Sequence, residues 1–319
     1  MKLLITSMED LRRYVGNVAV GMQFSQIEGD VRTATVEYMI PFLGQAFYEE
    51  VAAKVETMED GSDEHFRELA ELLQGALANY VALKYTPVSD SFFTSMGLQT
   101  MESDSQKGAY AYQKTDRMNK YAADGDTWLD QALAFLEAYP DEFPNWNPDG
   151  RYSHWAFRSA REFDRFYGIG ASRRTFIRLL PIIRRVESLE LIPVLGLERR
   201  RMLTRWREAG QPVDTGDPVF GGDTLELWLG MVQPALANLT MSRAIRELSF
   251  RPVSDAVQVA SFFQPTKSTQ VSESFVERVS ERAETDGQGF LHRLGFLLRD
   301  SAEGYMEFEN SKDKKHFII

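Results

Sequence analysis

The chain has 319 residues, 43% of them hydrophobic, and a formal net charge of −11; that suits two ordinary cores and argues against a general nucleic-acid binder. It contains no cysteine, which excludes disulfides, thiolate metal sites and cysteine nucleophiles and permits a reducing compartment. The opening Met1-Lys-Leu-Leu-Ile-Thr-Ser7 is too short an apolar run for a signal peptide, and nowhere do the ~18 apolar residues of a membrane span follow one another, so a soluble protein without membrane contact is expected.

Ser7-Met-Glu-Asp10 is a helix start, with a hydroxyl at the N-cap and acids in the first turn. Ser159-Ala-Arg-Glu162 repeats it as a capping box. Apolar stripes follow at helical spacing, Leu11, Tyr14, Val15 in one place and Phe163, Phe166, Tyr167 in the other, and glycines Gly16 and Gly168 are expected to stop each helix. From residue 7 to 44 the chain aligns without a gap on 159–196, at an offset of 152, with ten identities in 38 positions. The second helix of each copy ends in the same words, Ile40-Pro-Phe-Leu-Gly44 and Ile192-Pro-Val-Leu-Gly196, which predict a helix end turning in a new direction. A short third helix is expected over 45–57 and again over 197–209, each followed by a polar connection.

The fourth helix carries Gln74-Gly-Ala-Leu-Ala-Asn79 in one copy and Gln233-Pro-Ala-Leu-Ala-Asn238 in the other. Its stripe of Leu69, Leu73, Ala76, Leu77 and of Leu225, Leu229, Val232, Leu236 marks it as the central core helix, with alanines that let a neighbour approach. Asn79 and Asn238 are expected to make buried side-chain hydrogen bonds. Pro87-Val-Ser-Asp90 recurs as Pro252-Val-Ser-Asp255, a turn closing this helix. An extended insert or small hairpin follows at Ser91–Ser103, with Val257–Gln264 as its counterpart. The last helix of copy one is expected from about Gln106 to Tyr139, broken near Ala123-Asp-Gly125, with Glu284-Thr-Asp-Gly287 in the matching place.

The expected fold is therefore mainly α: two tandem, duplicated helical-bundle domains, each with a short extended or hairpin insert. The domains are 1–146 and 157–308, joined by a Pro- and aromatic-rich linker at 147–156 and followed by a charged tail, 309–319. The tail's apolar tip, Phe317, Ile318 and Ile319, is a candidate docking element.

Motifs for chemistry are sparse. No Gly-Lys pair exists for a phosphate loop, Gly168-Ile-Gly170 lacks a third glycine, and His65, His154, His292 and His316 are not at ligand spacing. No catalytic residue, metal site or cofactor is expected. Charge is more informative. Residues 1–150 hold 11 basic and 25 acidic side chains, against 25 and 22 in 151–319, so the copies carry opposite signs. Ten arginines fall between 171 and 207: Arg173, Arg174, Arg178, Arg184, Arg185, Arg199, Arg200, Arg201, Arg205 and Arg207. The choice of arginine over lysine suits bidentate pairing with carboxylate or phosphate. A solvated helix face, pairing between subunits and contact with a DNA backbone all fit this run.

The order of helices, with the stretches Tyr38 to Gly44, Leu72 to Asn79, Gly97 to Lys107 and Phe135 to Trp146, resembles the small helical head–tail connector (adaptor) proteins of tailed bacteriophages, most closely a tandem form from phages and prophages of Bacteroides-like bacteria. The resemblance implies a non-enzymatic virion protein, assembled in the host cytoplasm, that forms a homo-oligomeric ring in the neck. It implies portal and tail proteins as partners and a DNA channel through the ring. Such adaptors usually have one domain, and the duplication leaves the copy number open. A cytoplasmic helical scaffold and a helical-bundle enzyme are the competing classes.

Overall fold

In a computed structural model of the chain, residues 1–16, 18–19, 21–57, 63–89, 91–94, 97–100, 110–147, 150–209, 222–248, 250–253, 256–259 and 273–312 are described. Two compact units divide between Asp149 and Gly150. Copy two thus begins inside the expected linker, because 154–158 is the counterpart of the chain start: His154 pairs with Phe157 in an isolated antiparallel bridge, and Ala156 and Phe157 are fully buried. Phe143 and Trp146 pack into unit one, where the Trp146 Nε1–H donates to the Phe42 carbonyl at 3.1 Å.

Unit one opens with α1 (Met8–Tyr14), whose capping box is complete: the Asp10 N–H donates to Ser7 Oγ at 3.1 Å and the Ser7 N–H to Asp10 Oδ2 at 3.0 Å. α2 (Glu28–Ala34) passes into a π-helical segment, Thr35–Met39, and then α3 (Ile40–Leu43). The Pro41 ring lacks an N–H and crowds the carbonyl four residues back, so the Ile40 N–H bonds Thr35 O and the turn widens. Gly44 follows with φ 79°, a left-handed position that favours glycine, and starts α4 (Gln45–Glu56) in a new direction. α5 (Glu64–Tyr85) crosses the core, the hairpin β1 (Ser91–Thr94) and β2 (Gly97–Thr100) follows, and α6 (Ala111–Ala138) packs along α5.

Unit two repeats this order. α7 (Ala160–Asp164) ends four residues before Gly168, because the Asp164 carboxylate accepts the Ile169 N–H at 2.6 Å and turns the chain early. α8 (Arg173–Val186), a π-helical segment Glu187–Leu191, and α9 (Ile192–Leu195) end at Gly196, φ 82°. Then come α10 (Leu197–Ala209), α11 (Gly222–Leu248), the hairpin β3 (Phe250–Val253) and β4 (Ala256–Val259), and α12 (Glu273–Lys312). The fold is mainly α, in two tandem helical units with a hairpin each. α5 and α11 are the central helices, with Leu69, Leu73, Ala76 and Leu77, and Val232, Ala235 and Ala237, fully buried.

Four expectations need correction. The repeated Pro-Val-Ser-Asp words do not fall at one structural place: Pro87 lies in the 3-10 turn Thr86–Val88, whereas Pro252 sits in β3 opposite Val257. The two hairpins align at the offset of 159 that relates Gln74 to Gln233, not at the 165 between the prolines. The counterpart of the first insert is therefore Phe250–Val259. Third, α6 and α12 run unbroken through Gly125 and Gly287, which are sites of close helix approach: an added Cβ would come within 2.8 Å of the Tyr80 ring or 2.6 Å of the Leu239 side chain. Finally, α12 continues to Lys312, beyond the expected end at 308; Phe317, Ile318 and Ile319 lie outside the described residues.

Candidate functional site

Both words of the fourth-helix motif that kept their register have the same work in each copy. The Gln74 side-chain amide donates to the Leu4 carbonyl at 2.9 Å, and that of Gln233 to the Ala156 carbonyl at 2.7 Å, tying the central helix to the first segment of its unit. Asn79 and Asn238 donate to the carbonyls of Gly75 and Pro234, each at 2.8 Å, the buried hydrogen bonds expected of them. These residues hold the frame on which a cleft is built, between that first segment and the third helix.

In unit one the cleft is about 320 Å³ and is lined by Lys2, Thr6, Asp10, Val55, Glu56 and Gln74, among others. In unit two a pocket of about 630 Å³ is lined by residues that include His154, Arg158, Arg184, Glu187, Arg200 and Arg207. At the offset of 152, Lys2, Thr6, Val55 and Glu56 correspond to His154, Arg158, Arg207 and Glu208. The duplicated fold thus presents one cleft twice, in two chemistries.

The difference starts at the π-helical segment. In unit one its first residue is Thr35, buried, with Oγ1 donating to the Val31 carbonyl at 2.8 Å and lying 3.3 Å from the Tyr48 hydroxyl, which accepts the Leu4 N–H. In unit two the same place holds Glu187, 6% exposed. Its Oε1 accepts from Trp155 Nε1 at 2.6 Å and Arg200 Nε at 2.8 Å, and its Oε2 lies 3.0 Å from His154 Nε2. The Ala156 N–H donates to His154 Nδ1 at 3.2 Å, so the ring proton sits on Nε2 and points at the carboxylate. Arg200 occupies the position of Tyr48 and lies 5.4 Å from the Trp155 ring centroid. Burial by itself would raise the Glu187 carboxyl, but the His154, Arg200 and Trp155 donors outweigh it and bring it down to about 2.

A second carboxylate adjoins it. Glu162 accepts two bonds from Arg207 Nη2 at 2.9 Å, one from Gln233 at 2.9 Å and one from the Arg158 N–H at 2.7 Å. Burial pushes this carboxyl up; the backbone N–H, the amide and the guanidinium together hold it below its ordinary value. Arg207 is itself 9% exposed, and its Nε has no hydrogen-bond partner among the described residues.

The ten arginines do not form one face. Arg184, Arg200 and Arg207 meet at the pocket, joined by Arg158, which lies outside the window that drew attention in the sequence. Arg184 donates to the carbonyls of Arg151 and Ser153 at 2.7 and 3.3 Å. Arg185 pairs with Glu247, Arg201 with Glu198 at 2.7 Å, and Arg199 bonds the Leu195 carbonyl at 3.4 Å. Arg173, Arg174 and Arg178 are carried on α8 and Arg205, exposed, on α10. A comparison of the copies position by position would have found the site: Thr6, Tyr48 and Val55 become Arg158, Arg200 and Arg207.

Among the described residues, Asp63, His65 and Glu142 bring potential ligand atoms within 4.8 Å of one another. Each has a local role: Asp63 caps α5 through the His65 N–H at 3.1 Å, and His65 Nδ1 lies 2.8 Å from both Glu142 oxygens. The Glu142 hydrogen bond raises the His65 pKa from its ordinary value. No described helix is long and apolar enough to cross a membrane.

Comparison with known families finds one match, a "Family of unknown function (DUF6712)", over residues 39–155 and again over 210–318, more than half of the chain. The chain belongs to that family. No curated protein and no solved structure matches it.

Proposed function

Taking the chain as a duplicated member of DUF6712, we propose that it is a non-enzymatic structural protein of a virion, a head–tail connector in the neck. In that role it assembles in the host cytoplasm into a homo-oligomeric ring below the portal, between portal and tail proteins, around the channel through which DNA leaves. The observation that carries the reading is the duplicated cleft that keeps its frame and changes its charge. Thr35 and Tyr48 in unit one are replaced by the Glu187–Arg200 pair in unit two, and Thr6 and Val55 by Arg158 and Arg207. Glu187, His154 and Glu162 are each engaged by hydrogen bonds inside the fold, which supports a structural role for the cluster.

A chain with an acidic first half and a basic second half favours head-to-tail contacts, because unlike faces meet and like faces repel. Unit two also exposes Leu189, Val194 and Leu197, before, within and after α9, apolar surface of the kind that subunit contacts cover. Electron microscopy of the purified full-length chain at low ionic strength tests the reading. Closed rings with rotational symmetry are expected; particles of single-chain size at every concentration reject the connector and leave the scaffold class.

A further inference from the structure

We propose that the unit-two pocket is a receptor for the carboxylate of an acidic peptide segment. The proposal rests on the connector reading only for the source of that segment, unit one of a second copy. Four arginines and two glutamates line the pocket. Two of the arginines already have carboxylates, Arg200 with Glu187 and Arg207 with Glu162. Arg184 faces backbone carbonyls, and the Arg158 side chain has no hydrogen bond or ion pair among the described residues. Arg158 and Arg184 thus stand against Glu208, and the pocket keeps an excess of positive charge.

The free donors are guanidinium groups. The hydroxyls of Ser153, Ser188 and Thr204 donate to the carbonyls of Gly150, Arg184 and Arg200, each at 2.9 Å, so their protons are already placed. Arg207 lines the pocket with its Nη2 held on Glu162, and its enclosed Nε is closed to an incoming group. An oxyanion entering the pocket therefore meets the exposed Arg158 guanidinium first.

Size and charge choose the source. At about 630 Å³ the pocket lies in the range of sites that enclose a ligand rather than a single ion, so a side chain enters with some of its backbone. A nucleic-acid strand would meet a chain of net charge −11, whereas residues 1–150 carry 25 acidic side chains to 11 basic ones. In the equivalent cleft of unit one Thr6 and Val55 replace the two arginines and Glu56 pairs with Lys2, so that copy has no such receptor.

The test uses the full-length chain, with a blocked hexapeptide of alternating Glu and Asp, its Gln and Asn analogue, and a thymidine oligonucleotide of equal charge. Binding is read by calorimetry, with the combined fluorescence of the five tryptophans alongside. The acidic peptide is expected to saturate and the amide analogue not. Arg158→Glu is expected to weaken the acidic peptide about tenfold or more, since it replaces an exposed charge-assisted donor by a repelling group. Arg278→Glu, on α12 and away from the pocket, leaves it unchanged. Failure of the acidic peptide to saturate, equal binding of the amide analogue, or Arg158→Glu binding as the parent does each overturns the proposal. Tighter oligonucleotide binding through Arg158 overturns it in favour of nucleic acid. Rings without peptide binding would sink the pocket alone; peptide binding without rings would sink the connector alone.

Discussion

Replacing Glu187 by Gln removes the charge of a buried carboxylate and keeps its size. The carboxylate receives Trp155 and Arg200 on one oxygen and His154 on the other. An amide offers one acceptor oxygen and an NH2 group that can only donate, so one side of the network meets a donor head-on and Arg200 loses its counter-ion. The folded carboxyl lies at about 2 against an ordinary 4.5, a depression that corresponds to about 3 kcal/mol of stability at neutral pH. Since the folded value is the lower one, this stabilisation is complete above the ordinary value and is lost as pH falls through the folded value; roughly half remains near pH 3. Glu187→Gln is therefore expected to cost unit two about 3 kcal/mol at neutral pH, with the gap closing in acid. Urea titration of the full-length chain, followed by hydrogen exchange in peptides from 176–209, isolates this unit. A variant as stable as the parent, or a cost that does not shrink with pH, would refute the electrostatic account of the network.

Other consequences are smaller in scope. Gly125→Ala and Gly287→Ala are expected to lower the melting temperature of their units by pushing Tyr80 and Leu239 aside, at about 1–3 kcal/mol; Gly230→Ala, with open space around it in α11, is expected to raise it by about 0.5–1 kcal/mol. Gln233→Ala, which loses bonds to the Ala156 carbonyl and the charged Glu162 carboxylate, should destabilise more in denaturant titrations than Gln74→Ala, which loses the Leu4 carbonyl and the neutral Tyr14 hydroxyl. Arg200→Glu places two carboxylates together in the interior and should destabilise unit two by about 3–5 kcal/mol, whereas Arg201→Glu, whose partner Glu198 is exposed, stays within about 1 kcal/mol of the parent. Reversing Arg199, Arg200 and Arg201 together therefore tests folding before it tests assembly.

Helix starts and the duplication were legible because their signals are local: Ser7 with Asp10, Ser159 with Glu162, and Pro-x-Leu-Gly before a glycine that adopts a left-handed conformation. The π-helical segments were not, although Pro41 and Pro193 create them, because a proline in that place is equally compatible with a plain helix end. Gly125 and Gly287 suggested breaks, since only the partner helix reveals that the missing Cβ makes room for Tyr80 and Leu239. The second Pro-Val-Ser-Asp repeats letters without repeating a place, and only strand pairing shows the six-residue slip. The arginine run drew attention as a block, yet the pocket gathers Arg158, Arg184, Arg200 and Arg207 from three separate segments. The buried Glu187 holds Arg200, and the part-buried Glu162 holds Arg207 and the Arg158 N–H, two acids that a reading of net charge passes over.

The most direct test of the assembly claim is light scattering of the full-length chain over a salt series at about 100 µM, a concentration at which micromolar interfaces are populated. A mass of several chains at low salt is expected, falling as ions screen the contact over a Debye length of about 10 Å and below, and falling further in Arg158→Glu. A single-chain mass at every salt concentration would contradict it.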